Sequence, residues 1–503
     1  MSRQRLVAPV ELATVDRWFA ESDVLIAGYG VAGASTALAA ATAGAQVQVL
    51  ERTGGWGGAA ALSGGFIYLG GGTPLQTELG FDDSVEEMIA FLMAAMGPGA
   101  DEQKIRLYCE GSIEHYHWLV DNGVHFKPEF FGKAGHEPFN HEGLMYSGGE
   151  NAWPFDTLAK PAPRGHVASE PPEQLAGIAP SGPGDERDGG FWMMAALVTR
   201  CAETGVAVTY DVRTDQLIVD ADGRVHGIRA LVEGQTRDYR ARKGVVLAAG
   251  CFTFNDDMMA RYAPNLLGRP GATVEAHDGH SILMAQAMGA DLGRMDGCEV
   301  WSTAMMPELM CQGVLVDQFG QRFVTEDTYP GRVSQFICHR ADDCAYLIVD
   351  DEINERTELG PITTHFVQPK PVAVAETIAE LEKEIGLPEG ALEATITLYN
   401  RHAANGHDPV FHKRPESIKP LVPPFGAYEL KGKSAAFTLG GLRTSVDGEV
   451  LHVAGHPIPN LYAVGRSASG IPVWGYASGT SLGDGSFFGR RAGRHAASAP
   501  IAE

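Results

Sequence analysis

Residues 24–50 form an uncharged run whose internal pattern constrains the fold class of the chain. The run opens with a short apolar stretch, continues with the hexapeptide Gly-Tyr-Gly-Val-Ala-Gly at 28–33, and leads through an alanine-rich stretch to a second apolar one. This order predicts a strand, a glycine turn, a helix and a second strand, which is a βαβ unit. Strands buried on both faces are continuously apolar, so a buried parallel sheet explains the run better than a membrane span.

The three glycines of this turn have separate physical roles. Gly28 permits the tight turn after the first strand, Gly30 lets the backbone approach a pyrophosphate, and Gly33 lets the helix pack against the sheet. The helix begins near Val31 and Ala32, where free N–H groups and the positive end of the helix dipole attract phosphate. The segment therefore predicts a dinucleotide site, and an accidental glycine turn is the alternative.

Glu51 ends the second strand at the position where a carboxylate can bind a ribose hydroxyl. A glycine-rich segment over 54–72 follows it, where a long dinucleotide would continue across the surface. Another predicted buried strand, at 244–250, also ends in small residues. Glu51 does not distinguish FAD from NAD. Because no second Gly-x-Gly-x-x-Gly segment follows a strand, the sequence favours one tightly bound dinucleotide over a separate NAD(P)H domain.

Composition excludes several classes of partner. Lysine and arginine minus aspartate and glutamate is 39 − 63 = −24, and a chain this acidic repels nucleic acid and anionic membranes. The 7 cysteines include no Cys-x-x-Cys pair, which predicts free thiols in a reducing compartment. The first residues contain charges and no apolar signal segment, so we expect a cytoplasmic protein without a membrane span.

These motifs together resemble the fumarate reductase/succinate dehydrogenase flavoprotein superfamily. The resemblance covers nearly the whole chain and includes the glycine turn, Ala-Leu-Ser-Gly-Gly at 61–65, Val-Leu-Ala-Ala-Gly at 246–250 and a glycine-rich C-terminal segment. Within the superfamily the chain is most similar to the 3-ketosteroid dehydrogenases of the Δ4-(5α) type. The resemblance implies an α/β fold, with a Rossmann-like FAD-binding domain at 1–292 and 438–503. A smaller α+β catalytic domain at 293–437 would interrupt it.

The resemblance also implies FAD as the cofactor and assigns residues to it. The assigned residues are Gly28, Gly30, Val31, Ala32, Gly33, Glu51, Arg52, Gly58, Ala59, Ser63, Gly64, Gly65, Val212, Ala249, Gly250, Asp278, Gly465, Ser481 and Leu482. A helix predicted from near Ser481 to Ala497 would direct its N-terminus at the flavin pyrimidine edge, where its dipole stabilises the charge gained on reduction. The family usually has Gly-Glu where Gly465-Arg466 stands, which leaves the role of Arg466 open.

Desaturation beside a ketone needs a donor to the carbonyl oxygen, a base for the α-proton and an acceptor for the β-hydride. The resemblance implies that Tyr476 hydrogen-bonds the C3 keto oxygen, that Ser478 receives the C4 proton with Tyr329 as its relay, and that flavin N5 accepts the C5 hydride. Tyr476 and Ser478 are two positions apart, so an extended backbone directs them to one side. Apart from the resemblance, Tyr329 before Pro330 fits a loop anchor, and the other two fit residues that pack beside the flavin.

Departures from two sister classes favour oxidation at C4–C5. Dehydrogenases of the Δ1 type carry Tyr-Pro-Gly-Pro-Gly where this chain has Tyr-Ala-Ser-Gly-Thr at 476–480. Fumarate reductases clamp carboxylates with a His-Gln-x-His-Pro motif that the segment 364–370 does not supply. We therefore expect a small apolar 3-keto-(5α)-steroid as substrate and an external electron acceptor. The alternatives are a Δ1-3-ketosteroid dehydrogenase, another fumarate reductase-like oxidoreductase and a non-catalytic FAD-binding protein.

The remaining histidine patterns and one serine motif favour structural interpretations. His115 and His117 diverge on a predicted helix, and the His-Glu pairs at 136–137 and 141–142 lack the His-Glu-x-x-His spacing, so we expect no metal site. Gly-Thr-Ser-Leu-Gly at 479–483 matches a hydrolase elbow, but too little chain follows Ser481 for the other triad residues.

In the inserted domain we expect a strand at 314–316 and packed helices at 373–385 and 390–406. The segment 135–190 carries no readable chemistry, and we expect it to be a surface excursion over the FAD domain.

Overall fold

The computed structural model of the protein describes residues 7–133, 142–171, 189–301, 306–341, 344–357, 370–430 and 435–501, the side chains of 435 and 436 excepted. Within these residues the main sheet has nine strands. Its parallel part confirms the α/β fold class and the βαβ unit, with the helix Val31–Thr42 between its first two strands. The parallel strands, in spatial order, are Ala207–Thr209, Val47–Leu50, Ala20–Ala27, the C-terminal half of Gln235–Leu247, and Pro457–Ala463.

An antiparallel meander extends this sheet on one side. The strand Gln235–Leu247 pairs with Val225–Val232 over its first half and enters the parallel part over its second half. Val225–Val232 in turn pairs with Val212–Val219, which has Val10–Glu11 beside it in parallel at the edge. A single long strand thus connects the antiparallel meander to the parallel part of the sheet.

The C-terminal helix Thr480–Ser498 packs on Val31–Thr42 with backbone close to backbone. Gly485, Gly489 and Gly493 recur every four residues and therefore share one face of the helix. A Cβ added at Gly489 would lie 2.6 Å from the Ala32 carbonyl oxygen, and one at Gly493 would lie 2.3 Å from that of Thr36. Only glycine permits this separation, so the helix pair holds 480–498 against the turn at 28–33.

A second layer of helices and a small sheet cover the other end of the domain. The longer helices are Val85–Met96, Glu102–Glu110, Ser112–Asp121 and Gly189–Glu203, and the shorter ones are Gly58–Ala61, Pro74–Glu78, Phe155–Leu158, Asp256–Tyr262 and His280–Gln286. The small sheet comprises Phe66–Tyr68, Gly165–Ser169, Leu144–Met145 and Phe130–Phe131, with His125–Phe126 beside Gly165–Ser169. Single turns of 3-10 helix occur at Leu12–Thr14, Pro264–Leu266, Glu308–Gln312, Pro415–Ser417 and Gly465–Ser467.

The expected surface excursion over 135–190 is wrong for the part that the structure describes. The strand Gly165–Ser169 is buried along its whole length, and Arg164 before it forms a fully buried ion pair with Asp83, at 2.6 Å. Polar and glycine-rich composition suggested exposure, but burial here is stabilised by a paired charge. Residues 134–141 and 172–188 lie outside the described residues, and they include both members of the first His-Glu pair and the histidine of the second.

The inserted segment has its own hydrophobic core. An antiparallel sheet of Val314–Asp317, Ala345–Asp350, Phe425–Glu429 and Ala373–Ala375 carries the helices Pro330–His339, Asp351–Arg356, Ile378–Glu384 and Ala391–Ala403. Residues 314–316 form the expected strand, and the second expected helix lies within 390–406. The prediction of a helix over 373–385 is wrong at its start, because 373–375 pair with the sheet. The helix begins only after Thr377, whose hydroxyl forms a capping box with Glu380.

Two paired connections join this segment to the main domain. Leu292–Gly293 pairs with Gly441–Leu442, and Cys298–Trp301 pairs with Ala435–Thr438, both antiparallel. The predicted domain boundaries at 292/293 and 437/438 fall within these pairs and stay predictions. The paired connections bring residues that are far apart in sequence into one place, at the edge of the site described below.

The glycine face of the helix Thr480–Ser498 predicts that replacing one of its glycines by alanine lowers the stability of the protein, which is the opposite of the usual effect in a helix. Glycine to alanine within a helix ordinarily stabilises by about 0.5–1 kcal/mol. Gly493→Ala should instead destabilise by about 1–3 kcal/mol, because the new methyl group would force the two helices apart. Thermal unfolding of the purified protein measures this, with Arg494→Ala on the exposed face of the same helix as a control expected within about 0.5 kcal/mol of wild type. An unchanged or raised Tm for Gly493→Ala would contradict the prediction.

Candidate functional site

A cavity of about 640 Å³ lies at the carboxyl ends of the parallel strands. Gly28, Glu51 and Ala248 each directly follow a different strand, and Gly465 lies two residues after a fourth. All of these residues line the cavity. This edge of an open α/β sheet is where ligands of such folds bind, so the sheet itself determines the position of the site.

The cavity brings together nearly all of the residues that the sequence assigned to a dinucleotide. Its wall includes Gly28, Gly30, Val31, Ala32, Glu51, Arg52, Gly58, Ala59, Ser63, Gly64, Gly65, Val212, Ala249, Gly250, Asp278, Gly465, Ser481 and Leu482. Gly33 is not part of the wall and serves the packing of the helix. A Cβ on Gly33 would lie 2.0 Å from the Gly28 carbonyl oxygen.

The glycine turn fits a ligand that approaches its backbone. Gly28 has a φ of 106°, and an added Cβ there would lie 2.5 Å from the Ala248 carbonyl oxygen, so the fold itself requires glycine. Gly30 has a φ of −81°, and an added Cβ would lie no closer than 3.7 Å to its nearest neighbour. The fold therefore does not require glycine at position 30. Gly30 is also the N-cap of Val31–Thr42 with no side-chain cap, which leaves helix N–H groups for an anion.

Glu51 is anchored at the expected place by the backbone around it. One carboxylate oxygen accepts from the Tyr29 N–H at 2.7 Å, and the other accepts from the Thr53 N–H and hydroxyl, each at 2.9 Å. The oxygen that accepts only from Tyr29 has a second lone pair, so the side chain can still accept from a ribose hydroxyl. The glycine turn and the residue that we expect to bind ribose thus form one rigid unit.

The loop 272–278 forms a wall that sequence reasoning largely missed. Within it only Asp278 was expected, and its carboxylate accepts from Arg52 at 2.6 Å. Cys251 lies 3.4 Å from His277 Nδ1, and both line the cavity. Burial raises the pKa of the Cys251 thiol, but the charge and hydrogen bond of His277 outweigh burial and lower it to about 6. No spacing in the sequence relates these two residues, because a loop brings them together.

Tyr476 lies at the opposite end of the cavity in a cluster of polar and aromatic groups. Its hydroxyl is 2.6 Å from Ser481 Oγ, and Ser481 also accepts from Arg466. The Arg466 guanidinium lies 4.5 Å from the Phe437 ring centroid and 5.8 Å from that of Tyr476. Burial raises the pKa of Tyr476 although Arg466 opposes it, so the phenol is a neutral donor at physiological pH.

Ser478 lies on the boundary between the large cavity and a smaller one of about 50 Å³. Its N–H donates to the Ser147 carbonyl oxygen at 2.9 Å, and the Ser147 hydroxyl donates back to its carbonyl oxygen at 2.8 Å. Ser147 follows the buried strand Leu144–Met145 of the small sheet. Ser147 belongs to the segment 135–190, in which the sequence showed no recognisable chemistry. This segment therefore fixes the backbone of Ser478, an expected catalytic residue.

Tyr329 lines the smaller cavity together with Ser478. It caps the helix Pro330–His339, whose first position is proline, a residue preformed for that place. The preceding loop is held by Glu326, which is buried and accepts from Arg322 at 2.6 Å and from the Leu315 N–H at 2.8 Å. The three hydroxyl residues named from the sequence thus lie at one end of the site: Tyr476 lines the large cavity, Tyr329 lines the small one, and Ser478 lines both.

Glu299 is the residue of this region that sequence reasoning missed. Its Oε1 accepts from the Tyr329 hydroxyl at 3.0 Å and from the Trp301 indole at 3.2 Å. Burial raises the pKa of this carboxyl to about 8, although Tyr329, Arg332, Trp301 and Arg466 all act to lower it. A single acidic residue inside the apolar strand Cys298–Trp301 was the available signal, because a buried charge needs a reason.

The arrangement can bind a long dinucleotide at one end and polarise and deprotonate a neutral substrate at the other. The described part of the chain contains no cluster of three or more histidine, cysteine or acidic side chains that could hold a metal ion. Over the same residues, no helix combines the length and apolar character that crossing a membrane requires. The segment 364–369, expected to lack a carboxylate clamp, lies outside the described residues.

Comparisons with known proteins agree with this geometry. The family model of the FAD binding domain matches residues 23–482. The solved structure of the 3-ketosteroid-Δ4-(5α)-dehydrogenase from Rhodococcus jostii RHA1, in complex with 4-androstene-3,17-dione, is 53 % identical in sequence. That match has a TM-score of 0.92 and covers 98 % of this chain and 100 % of that one.

Two more distant relatives act on different substrates. Urocanate reductase of Eggerthella lenta is 28 % identical over 94 % of this chain and 74 % of its own length. The 3-oxo-5-alpha-steroid 4-dehydrogenase of Comamonas testosteroni is 24 % identical over 89 % of this chain and 93 % of its own. The comparisons confirm the resemblance and FAD as the cofactor. The chain therefore belongs to the FAD binding domain family, as an FAD-dependent oxidoreductase of the 3-ketosteroid dehydrogenase group.

Proposed function

We propose that this protein oxidises 3-keto-(5α)-steroids by introducing the C4–C5 double bond. The observation that carries the proposal is the meeting of Tyr476, Ser478 and Tyr329 where the FAD cavity adjoins the smaller one. The relative at 53 % identity, whose structure contains 4-androstene-3,17-dione, supports the substrate class. That compound has both the 3-keto group and the C4–C5 double bond that this reaction would form.

Tyr476 is the donor to the C3 keto oxygen in this proposal. Its phenol is neutral and buried, so it can donate in a site from which water is excluded. As negative charge develops on the ketone oxygen, Ser481 and Arg466 hold the phenol and place a positive charge behind it. One such donor is worth about 2.7–4 kcal/mol of transition-state stabilisation.

Ser478 takes the C4 proton while it passes its own proton towards Tyr329. A serine hydroxyl is too weak a base to hold a proton, so the transfer needs a group behind it. Tyr329 lies on the same small cavity and can accept from serine while donating from its own hydroxyl. The main-chain contacts with Ser147 keep Ser478 in place during this exchange.

Bound FAD supplies the acceptor for the C5 hydride. We propose that the cavity residues assigned from the sequence hold it, with the N-terminus of Val31–Thr42 at the pyrophosphate, Glu51 at a ribose, and Ser481 and Leu482 at the flavin.

The substrate would enter between the domain at 1–292 and 438–503 and the catalytic domain at 293–437, and an external acceptor would reoxidise the flavin. We also propose a cytoplasmic location, in keeping with the free thiols.

Two features favour this reaction over those of sister classes. A Δ1-dehydrogenase carries glycine where Ser478 stands. Reduction of a dicarboxylate or of urocanate needs cations to bind carboxylate, but Arg414 of the small cavity is paired with Asp327 at 3.0 Å, and Arg466 of the large one contacts Ser481 and the Phe437 ring. A non-catalytic flavoprotein would not need hydroxyl groups at 329, 476 and 478.

Anaerobic mixing with a saturated 3-keto-5α-steroid tests the reaction directly. We expect the flavin absorbance to bleach and a 4-ene-3-ketone to form, because the substrate gives its C5 hydride to the cofactor. Absorbance of the flavin and mass and ultraviolet analysis of the product measure both events. A yellow protein that does not bleach would contradict the proposal, and a Δ1 product would favour the sister class.

Replacing Tyr476 tests its role as donor. Tyr476→Phe should slow flavin reduction by at least about 10²-fold, because a ring of the same shape no longer donates to the ketone. Stopped-flow absorbance measures the rate, and the protein should remain yellow. Tyr428→Phe removes a partly buried hydroxyl from the inserted segment and serves as the control. Turnover retained in Tyr476→Phe would remove this residue from the mechanism.

Position 30 separates cofactor binding from folding. Gly30→Val should leave the protein folded, since nothing lies within 3.7 Å of an added Cβ, but the branched side chain would occupy the space expected for the pyrophosphate. We expect colourless protein with a normal circular dichroism spectrum. Gly55→Ala, with no neighbour within 4 Å of its added Cβ, should stay yellow. A yellow Gly30→Val protein would refute the assigned position of the phosphates.

A further inference from the structure

The mechanism as derived leaves the C4 proton on Tyr329 with no defined destination. The Tyr329 hydroxyl donates to Oε1 of Glu299 at 3.0 Å, and Glu299 is completely buried. We infer that Glu299 is the proton acceptor behind Tyr329 and completes a relay from Ser478 through Tyr329. The inference rests on the proposed function. Glu299 acts through Tyr329 and does not touch substrate, so it is a positioning residue.

The two carboxylate oxygens of Glu299 have different surroundings. Oε1 accepts from Tyr329 and from the Trp301 indole, whereas Oε2 has no hydrogen-bond partner among the described residues. A buried carboxylate oxygen without a donor is costly, and protonation removes most of that cost. The Glu299 carboxylate is therefore held in place through Oε1, and its Oε2 favours protonation.

A glycine in the neighbouring helix makes room for this contact. Gly331 is the second residue of Pro330–His339, where glycine is a poor helix former. A Cβ at this position would lie 2.2 Å from Oε1 of Glu299 and 2.5 Å from the Tyr329 ring. Any other residue would separate the phenol from the carboxyl, so the backbone is adapted to their contact.

Burial of Glu299 outweighs the groups around it that lower its pKa. Arg332 and Arg466 lower its pKa through their positive charge, the Tyr329 and Trp301 hydrogen bonds also lower it, and burial raises it by more. Tyr476 faces the same carboxyl and has a raised pKa. Arg332 is buried and donates to the carbonyl oxygens of Ala95 and Tyr476, so it contributes charge without forming an ion pair with Glu299. The resulting pKa of about 8 is close to the range where a group both takes and releases a proton.

The transfer balances in protons and charge. The C4–H bond breaks, and its proton goes to Ser478 Oγ as the Ser478 O–H proton passes to Tyr329 Oη. The Tyr329 O–H proton passes in turn to the Glu299 carboxylate, which becomes a neutral acid. The electron pair of the C4–H bond forms the new double bond as hydride leaves C5 for FAD. Because Glu299 is completely buried, its proton leaves before the next turnover by way of Tyr329, which lines the smaller cavity.

The raised pKa of Glu299 determines whether the rate of flavin reduction rises or falls with pH. Only the carboxylate form accepts a proton, and with a pKa of about 8 that form becomes dominant only as pH rises through 8. The rate of flavin reduction should therefore increase with pH through this value. Without the carboxyl, this rise should disappear.

The experiment measures single-turnover flavin reduction by a saturated 3-keto-5α-steroid from pH 6 to 10. It compares the wild-type holoprotein with the holoproteins of the variants Glu299→Gln, Trp301→Phe and Glu150→Gln. For Glu299→Gln, which keeps the shape of the side chain, we expect a loss of about 10²-fold at high pH and no rise near pH 8. Trp301→Phe removes a hydrogen bond that lowers the pKa of Glu299, so its rise should move to higher pH. Glu150→Gln is the matched control, because Glu150 is another buried carboxyl with a raised pKa and should leave the rise in place.

Infrared difference spectra give a second readout that does not depend on turnover. The carbonyl band of a protonated acid should disappear as pH passes through 8 in wild type and be absent from Glu299→Gln. Bleaching of wild type with an unchanged rate and pH profile in Glu299→Gln would overturn this inference and leave the proposed function standing. Absence of bleaching in wild type would overturn the proposed function and this inference with it.

Discussion

The site depends on the contact between the helix Thr480–Ser498 and the helix Val31–Thr42. The glycine face of Thr480–Ser498 lets its backbone approach carbonyl groups of Val31–Thr42. Larger side chains on this face would prevent that approach. The helix Val31–Thr42 starts at the glycine turn, and the helix Thr480–Ser498 starts beside Tyr476. The separation of the two helices therefore sets the distance between the two ends of the cavity. Loss of this packing would affect both ends of the cavity together, although Gly485, Gly489 and Gly493 do not line it.

The two ends of the cavity use different physical chemistry. At the turn near Gly30 the wall is backbone, and helix N–H groups suit a permanent negative charge. Around Tyr476 the wall and the groups packed behind it are buried side chains whose pKa values burial has raised, such as Tyr476 itself and Glu299 behind Tyr329. In the proposed function, the permanent charge of the phosphates would be bound at the helix N-terminus, and the transient charge of the reaction would be stabilised among the buried side chains around Tyr476.

The sequence predicted the parts of the site that local chain geometry determines. The glycine turn, Glu51 and the segment 476–482 could be read because each lies at a strand end or helix start with characteristic spacing. Ser147 and His277 could not be read in this way, because long-range pairing and loop closure bring them to the site. Glu299 was missed: no strand was predicted around it, and its partner Tyr329 becomes adjacent only through tertiary packing. Residues 373–375 show the limit of periodicity, since pairing with another strand overrode the expected helix.

The glycine contact also has a consequence for the order in which the protein can mature. The turn at 28–33 is synthesised early, whereas its partner helix at 480–498 and the neighbouring strand Pro457–Ala463 come last. Until those residues leave the ribosome, Val31–Thr42 is covered by Gly189–Glu203 but lacks its partner on the glycine side, and the cavity wall formed by Gly465, Ser481 and Leu482 does not exist. The complete cavity for FAD therefore forms only after residues 480–498 have been translated.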